Sequence, residues 1–149
     1  MVCRADGTVK LVNLGVAVTL QEMAEYHKVR RVMPNWQTPE IIEGSPYTKE
    51  VDVWSLGCFA YELATGKQPF KMANWTKLLD HILNREAPPI PSRWSAGLQD
   101  FIDKCLEKNP EERYTVDQLL NEHELFENYD AEECKQAWVS DFKTHGQGR

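Results

Sequence analysis

Residue types able to do chemistry are thinly spread along the chain. The four cysteines, Cys3, Cys58, Cys105 and Cys134, lie far apart, and two of them fall on apolar helical faces. That pattern predicts buried thiols in preference to disulfides or metal ligands. The four histidines are equally scattered, so no metal site is expected. A basic cluster, Lys28, Arg30 and Arg31, sits in an irregular stretch and reads as a solvated loop. The only Gly-x-Gly, Gly146-Gln147-Gly148, has no strand before it and no helix after it, so it is not a phosphate cradle. Asn13, ahead of Gly15, suits a turn because asparagine tolerates unusual backbone angles.

The elements that would position such residues are organised around one stretch, Asp52 to Gly66. Trp54, Cys58 and Tyr61 mark one stripe of a helix, and Leu56, Phe59 and Leu63 mark another. Apolar residues nearly all round predict a helix buried by its neighbours. Thr48 is the expected cap at its start, and Gly66 can take the left-handed conformation that ends it. A chain of 149 residues is one domain by length. No apolar run approaches a membrane span, and the first residues lack the layout of a signal peptide, so a cytoplasmic protein is expected. A net charge of -6 argues against nucleic acid as the main partner.

Around that helix, Val2 to Val12 reads as a hairpin, with Asp6-Gly7 as the turn and Val9 and Leu11 alternating with Thr8 and Lys10. Some two dozen irregular residues follow, and a loop of that length in a compact domain is functional or disordered. Asn74 to Arg85 predicts a helix with Leu78, Leu79, Ile82 and Leu83 on one face, stopped by the Ala87-Pro88-Pro89-Ile90-Pro91 stretch. Leu98, Phe101, Ile102, Cys105 and Leu106 keep helical spacing up to Asn109-Pro110. Thr115 with Gln118 predicts a capping box for a helix turning Val116, Leu119 and Leu120 inward. In the tail, Asp130 with Glu133 starts a last helix carrying Cys134, Ala137, Trp138 and Phe142 on one apolar side. That helix would either cover bare core surface or bind a partner.

The order Val9-Lys10-Leu11, Asn13-Leu14-Gly15, Trp36, Thr38-Pro39-Glu40, Asp52-Val53-Trp54-Ser55-Leu56-Gly57, Gly66, Pro69-Phe70 and Arg113 resembles the C-terminal lobe of a eukaryotic Ser/Thr protein kinase. The flavour is that of the sterile-twenty-like group. The resemblance covers residues 1–126, leaving 127–149 as a tail with an amphipathic helix. The implied fold is mainly α: a kinase-like C-lobe fragment with a short N-terminal β-hairpin and about five helices around a central buried one. Asn13 then falls where the family carries the aspartate that holds magnesium at the nucleotide phosphates. Magnesium favours carboxylate oxygens, so the amide reads as a turn residue and not as a metal ligand. Leu14 replaces the usual Phe, and Gly15 is kept.

The irregular segment resembles the activation loop, with Val29 and Met33 where the group carries threonines. Neither side chain can be phosphorylated or donate a hydroxyl hydrogen bond. Thr19 and Tyr26 remain as loop hydroxyls. Structural family features are retained. The resemblance pairs Glu40, after Pro39, with Arg113, and makes Asp52 the brace of the catalytic-loop backbone, with Trp54 and Gly57 in the same motif. The glycine-rich cover, the strand lysine and the catalytic loop find no match, and Met1 aligns just past that loop.

Three functions are therefore weighed. One is a catalytic Ser/Thr kinase part whose N-lobe and catalytic loop lie outside this chain. Another is a non-catalytic kinase-like module that binds a protein through the open side of the central helix or through the Asn74 to Arg85 helix. The third is a truncated product without a role of its own. The second is the favoured expectation, with neither ATP nor magnesium bound by this chain alone.

Overall fold

In the computed structural model the described residues are 2–3, 6–12, 14, 17, 34–127 and 130–145. The chain divides into two compact units, Met1–Ala17 with Asn128–Arg149, and Val18–Glu127. Among the described residues no helix is long and apolar enough to cross a membrane.

In the first unit, β1 (Val2–Cys3) and β2 (Val9–Lys10) pair antiparallel, Val2 opposite Lys10 and Cys3 opposite Val9. The turn forms where Asp6-Gly7 predicts it. The Asp6 carboxylate accepts from the Thr8 N–H at 2.9 Å, and Gly7 takes a φ of 77°, a conformation that side chains disfavour. The same unit contains the long tail helix, Ala131–His145, labelled α6 below. The Asp130 carboxylate starts it by accepting from the N–H groups of Glu132 (2.8 Å) and Glu133 (3.0 Å). Gly7 lies close against this helix: a Cβ there would stand 2.7 Å from the Lys135 Cγ. Cys134 and Ala137 are exposed.

The second unit is helical. Its elements are α1 (Pro39–Glu43), α2 (Glu50–Thr65), α3 (Trp75–Asn84), α4 (Ala96–Cys105) and α5 (Val116–Glu122), with 3-10 turns at Pro34–Trp36 and Glu124–Phe126. With α6, the described residues hold six α-helices, α2 and five others, which agrees with the mainly α fold expected, a central helix with about five more. Helix boundaries follow side-chain capping. Asn74 accepts from the Lys77 N–H (3.1 Å) and Ser95 from the Leu98 N–H (3.1 Å). Thr115 and Gln118 form the reciprocal capping box.

Helix α2 differs from expectation at its start. Lys49, not Thr48, occupies the cap position and makes no side-chain cap bond, since an ammonium can only donate, while the Thr48 hydroxyl donates to the Glu50 carboxylate. At its end Gly66 adopts a φ of 70°, and the Ala64 carbonyl accepts from the Trp94 indole (2.9 Å) and the Arg93 guanidinium (3.3 Å). Its inward residues, Val53, Trp54, Cys58, Tyr61 and Ala64, join Phe70, Leu78, Ile82, Phe101, Ile102, Cys105, Leu106 and Leu119 in one core. Close contact of α2 with α4 depends on Gly57, where a Cβ would stand 2.6 Å from the Cys105 Cβ. On α5 only Leu119 is buried; Val116 and Leu120 are 47% and 57% exposed, contrary to the expectation that all three face inward. A seven-residue helix lying on a core surface buries one edge, and these two flank it.

Candidate functional site

The most highly connected side chain among the described residues is Arg113, and α1 explains how its partner reaches it. Thr38 caps α1, its hydroxyl accepting from the Ile41 N–H at 3.4 Å, and Pro39 occupies the first turn, where a missing N–H costs nothing. The next residue, Glu40, is thereby fixed at a helix N-terminus that favours its charge, and it is buried. Arg113 donates to it in a fork, Nη1 to Oε1 at 2.8 Å and Nη2 to Oε2 at 3.1 Å.

The other three N–H groups of Arg113 are also engaged. They reach the carbonyls of Glu107 (2.8 Å), Glu50 (3.1 Å) and Lys108 (3.4 Å). All five donors of the guanidinium thus have acceptors, which is the condition for burying such a group. The clasp joins α1, the first turn of α2 and the segment after α4. It lies over the Trp54 ring, 5.1 Å from its centroid, and Trp54 stacks on Phe70 at 5.5 Å with the rings 8° from parallel. The Trp54 indole N–H has no partner, and nothing in the structure explains it.

Two further polar side chains at buried positions were not legible from the sequence. Lys108 donates to the Ile82 carbonyl at 2.9 Å and stands over Trp54 and Phe70, at 5.5 Å and 5.1 Å. Burial lowers its pKa, and the Arg113 charge adds to that; Glu86 and Glu107 oppose it. His123, a buried ring, bonds through Nε2 to the Asp100 carboxylate at 3.1 Å and accepts from the Leu125 N–H at Nδ1. Neither residue stands in a periodic or motif position that would have pointed to it. The thiols of Cys58 and Cys105 are buried and free, and burial pushes both up to about 12, away from nucleophilic chemistry.

The outward side of α2 carries Asp52, Leu56, Phe59 and Leu63 at spacings of four, three and four. Leu56 and Leu63 are 37% and 69% exposed, and Phe59 is half-buried. Asp52 is accessible, yet the flank of α2 desolvates its carboxyl enough to raise its pKa. The structure thus brings Pro39, Glu40, Trp54 and Arg113 together and leaves Asp52 on the far side of α2. Gly57 faces α4. Leu14 is exposed. Asn13, Gly15, Val29, Met33, Thr19, Tyr26 and the Lys28, Arg30, Arg31 cluster lie outside the described residues.

A forked buried pair clasping short and long helices around a tryptophan is a structural centre, and comparison with known proteins gives its class. The family described as the protein kinase domain matches residues 1–126. The chain belongs to the protein kinase domain family. Serine/threonine-protein kinase ppk11 of Schizosaccharomyces pombe is 35% identical over 125 residues, which are 83% of this chain and 40% of that protein. Serine/threonine-protein kinase hippo of Drosophila melanogaster is 37% identical over 125 residues, 83% of this chain and 18% of its own length. Serine/threonine-protein kinase Nek1 of Mus musculus is 34% identical over 115 residues, 77% of this chain and 10% of its own length. The chain therefore spans under half the length of each of these relatives.

Proposed function

We propose that residues 1–126 are a C-lobe piece of a Ser/Thr-kinase-like domain that acts in the cytoplasm as a protein-binding or scaffold module and does not itself transfer phosphate. The observation that carries this reading is Asn13, at the position where the family resemblance requires the magnesium-binding carboxylate. Removing one unit charge beside a cation costs about 4 kcal/mol at an effective dielectric near 20, roughly a thousandfold in binding. Val29 and Met33 remove the two hydroxyls that the same resemblance gives to the activation loop. The retained features, Glu40 with Arg113 and the Trp54 stack, hold the helices and make no demand on nucleotide. The binding surfaces this reading uses are the outward stripe of α2, Leu56, Phe59 and Leu63, and the α3 helix.

A second reading is favoured by the Ser/Thr kinase relatives. In it the chain is part of an ATP-dependent Ser/Thr kinase, with nucleotide and magnesium bound using residues beyond this chain. Thermal unfolding with and without ATP and magnesium, on this chain joined to a kinase N-lobe and catalytic loop, separates the two. The expected result is an unchanged melting temperature even then, and a magnesium-dependent rise abolished by a chelator overturns the first reading. The Asn13→Asp variant, tested in parallel, shows whether the carboxylate is the missing element.

A further inference from the structure

One end of the helical unit carries an electrostatic imbalance that the kinase-family clasp does not use. Between residues 104 and 127 every lysine and arginine is already engaged. Lys104 stands over the Tyr114 ring at 5.0 Å, Lys108 donates to the Ile82 carbonyl and Arg113 is locked to Glu40, while the His123 ring bonds to the Asp100 carboxylate. The carboxylates of Glu111, Glu112, Asp117, Glu122, Glu124 and Glu127 have no ion-pair or hydrogen-bond partner among the described residues, and all six residues are exposed. Running through this acidic segment is an apolar pair. Val116 and Leu120, one helical turn apart on α5, are 47% and 57% exposed, and Leu125 on the 3-10 turn packed against α5 is 38% exposed.

We propose that this surface of α5 docks a basic amphipathic helix from a partner protein. The charge selects the partner: an exposed apolar ridge within a segment of unpaired carboxylates complements lysine or arginine flanking an apolar stripe. The backbone selects its shape. The N–H and C=O groups of a helix are used internally, so a partner cannot add as a strand and must read side chains, which a second helix does by laying its ridge beside this one. The capping box at Thr115 and Gln118 holds α5 in place, so the ridge is presented without an ordering cost at binding. This proposal does not use the α2 or α3 surfaces and stands apart from whether the chain binds nucleotide.

A labelled synthetic peptide of leucine and lysine at helical spacing, titrated against the full chain by fluorescence anisotropy, is the probe. Binding is expected to weaken about tenfold in Leu120→Gln and again in the Glu122→Lys, Glu127→Lys pair, with far-UV circular dichroism unchanged. A peptide of the same composition with its leucines scrambled off one face should bind at least about tenfold more weakly than the amphipathic one. Equal affinity for wild type and these variants overturns the proposal, as does equal binding of the scrambled peptide. Leu63→Gln on α2 should leave affinity unchanged. If it alone abolishes binding, the peptide sits on the α2 surface, which overturns the α5 site and supports the surface invoked above.

Discussion

The two sides of α2 are both apolar stripes, and their surroundings are opposite. On the inward side Trp54, Cys58 and Tyr61 are buried, Trp54 in contact with both Phe70 and the Arg113 clasp. On the outward side Leu56 and Leu63 are open and Phe59 is half-covered. Hydropathy alone treats the stripes as equal. The difference comes from what the rest of the unit supplies: α4 approaches one side through Gly57, and a residue far along the chain, Arg113, closes that side with five hydrogen bonds. One side of the helix is therefore over-determined and the other is not, and substitutions should divide accordingly.

The largest effect is expected at the clasp. Arg113→Met removes every partner of a buried carboxylate, and leaving such a charge unpaired costs about 3–5 kcal/mol. Urea unfolding of the variant, followed by tryptophan fluorescence, reads this directly. Adding Glu40→Gln should recover part of the loss, because the orphaned charge is then gone. A single variant less than about 1 kcal/mol destabilised would mean that the inward side is not held by this pair.

Next in size is the alkaline behaviour of the same side. The Cys58 and Cys105 thiols are raised from the ordinary value of 9.0 to about 12 in the fold, mainly by burial. The unfolded chain therefore loses these protons first. Stability is full below pH about 9 and falls as pH climbs toward 12, at up to about 1.4 kcal/mol per thiol per pH unit. The pair should remove about 3 kcal/mol by pH about 10. The Tyr61 phenol, raised by burial, acts in the same sense, whereas Lys108, lowered by burial, acts in the opposite one. Comparing denaturation at pH about 8 and 10 in wild type and in a Cys58→Ala, Cys105→Ala variant isolates the thiols. A variant with the same pH slope as wild type breaks the assignment.

What was legible in the sequence was local. Asp6-Gly7, Gly66, Asn74, Thr115 with Gln118, and Asp130 all mark boundaries where the structure has them, because a cap or turn acts within four residues of itself. Thr48 misled because the helix starts one residue later, with Lys49 at the cap, and the Thr48 hydroxyl donates to the Glu50 carboxylate instead of accepting from a backbone N–H. Val116 and Leu120 misled because apolar spacing on a seven-residue helix does not say how wide an edge the core can cover. Glu40 and Arg113 are 73 residues apart, and only the family resemblance joined them; no periodicity could have. Lys108 had no such signal, since its site is made by two rings and a carbonyl from other elements. Of the residues singled out for nucleotide chemistry, Asn13 remains a reading of residue type, and the magnesium test above addresses it.

The smallest effect, and the sharpest on the outward side, is expected for Leu63→Gln. Leu63 is 69% exposed, so replacing it removes little buried apolar area, and stability should change by less than about 0.5 kcal/mol. The same substitution becomes informative when protein concentration is varied. If the outward stripe of α2 is covered by a second copy of the chain, wild-type unfolding shifts to higher urea as concentration rises, by mass action, and Leu63→Gln loses that shift. If the stripe is open in the isolated chain, neither protein shows it. A concentration-independent loss above about 1 kcal/mol would fit neither case and would mean that Leu63 is packed within the chain, so that the two sides of α2 are less different than their exposure implies.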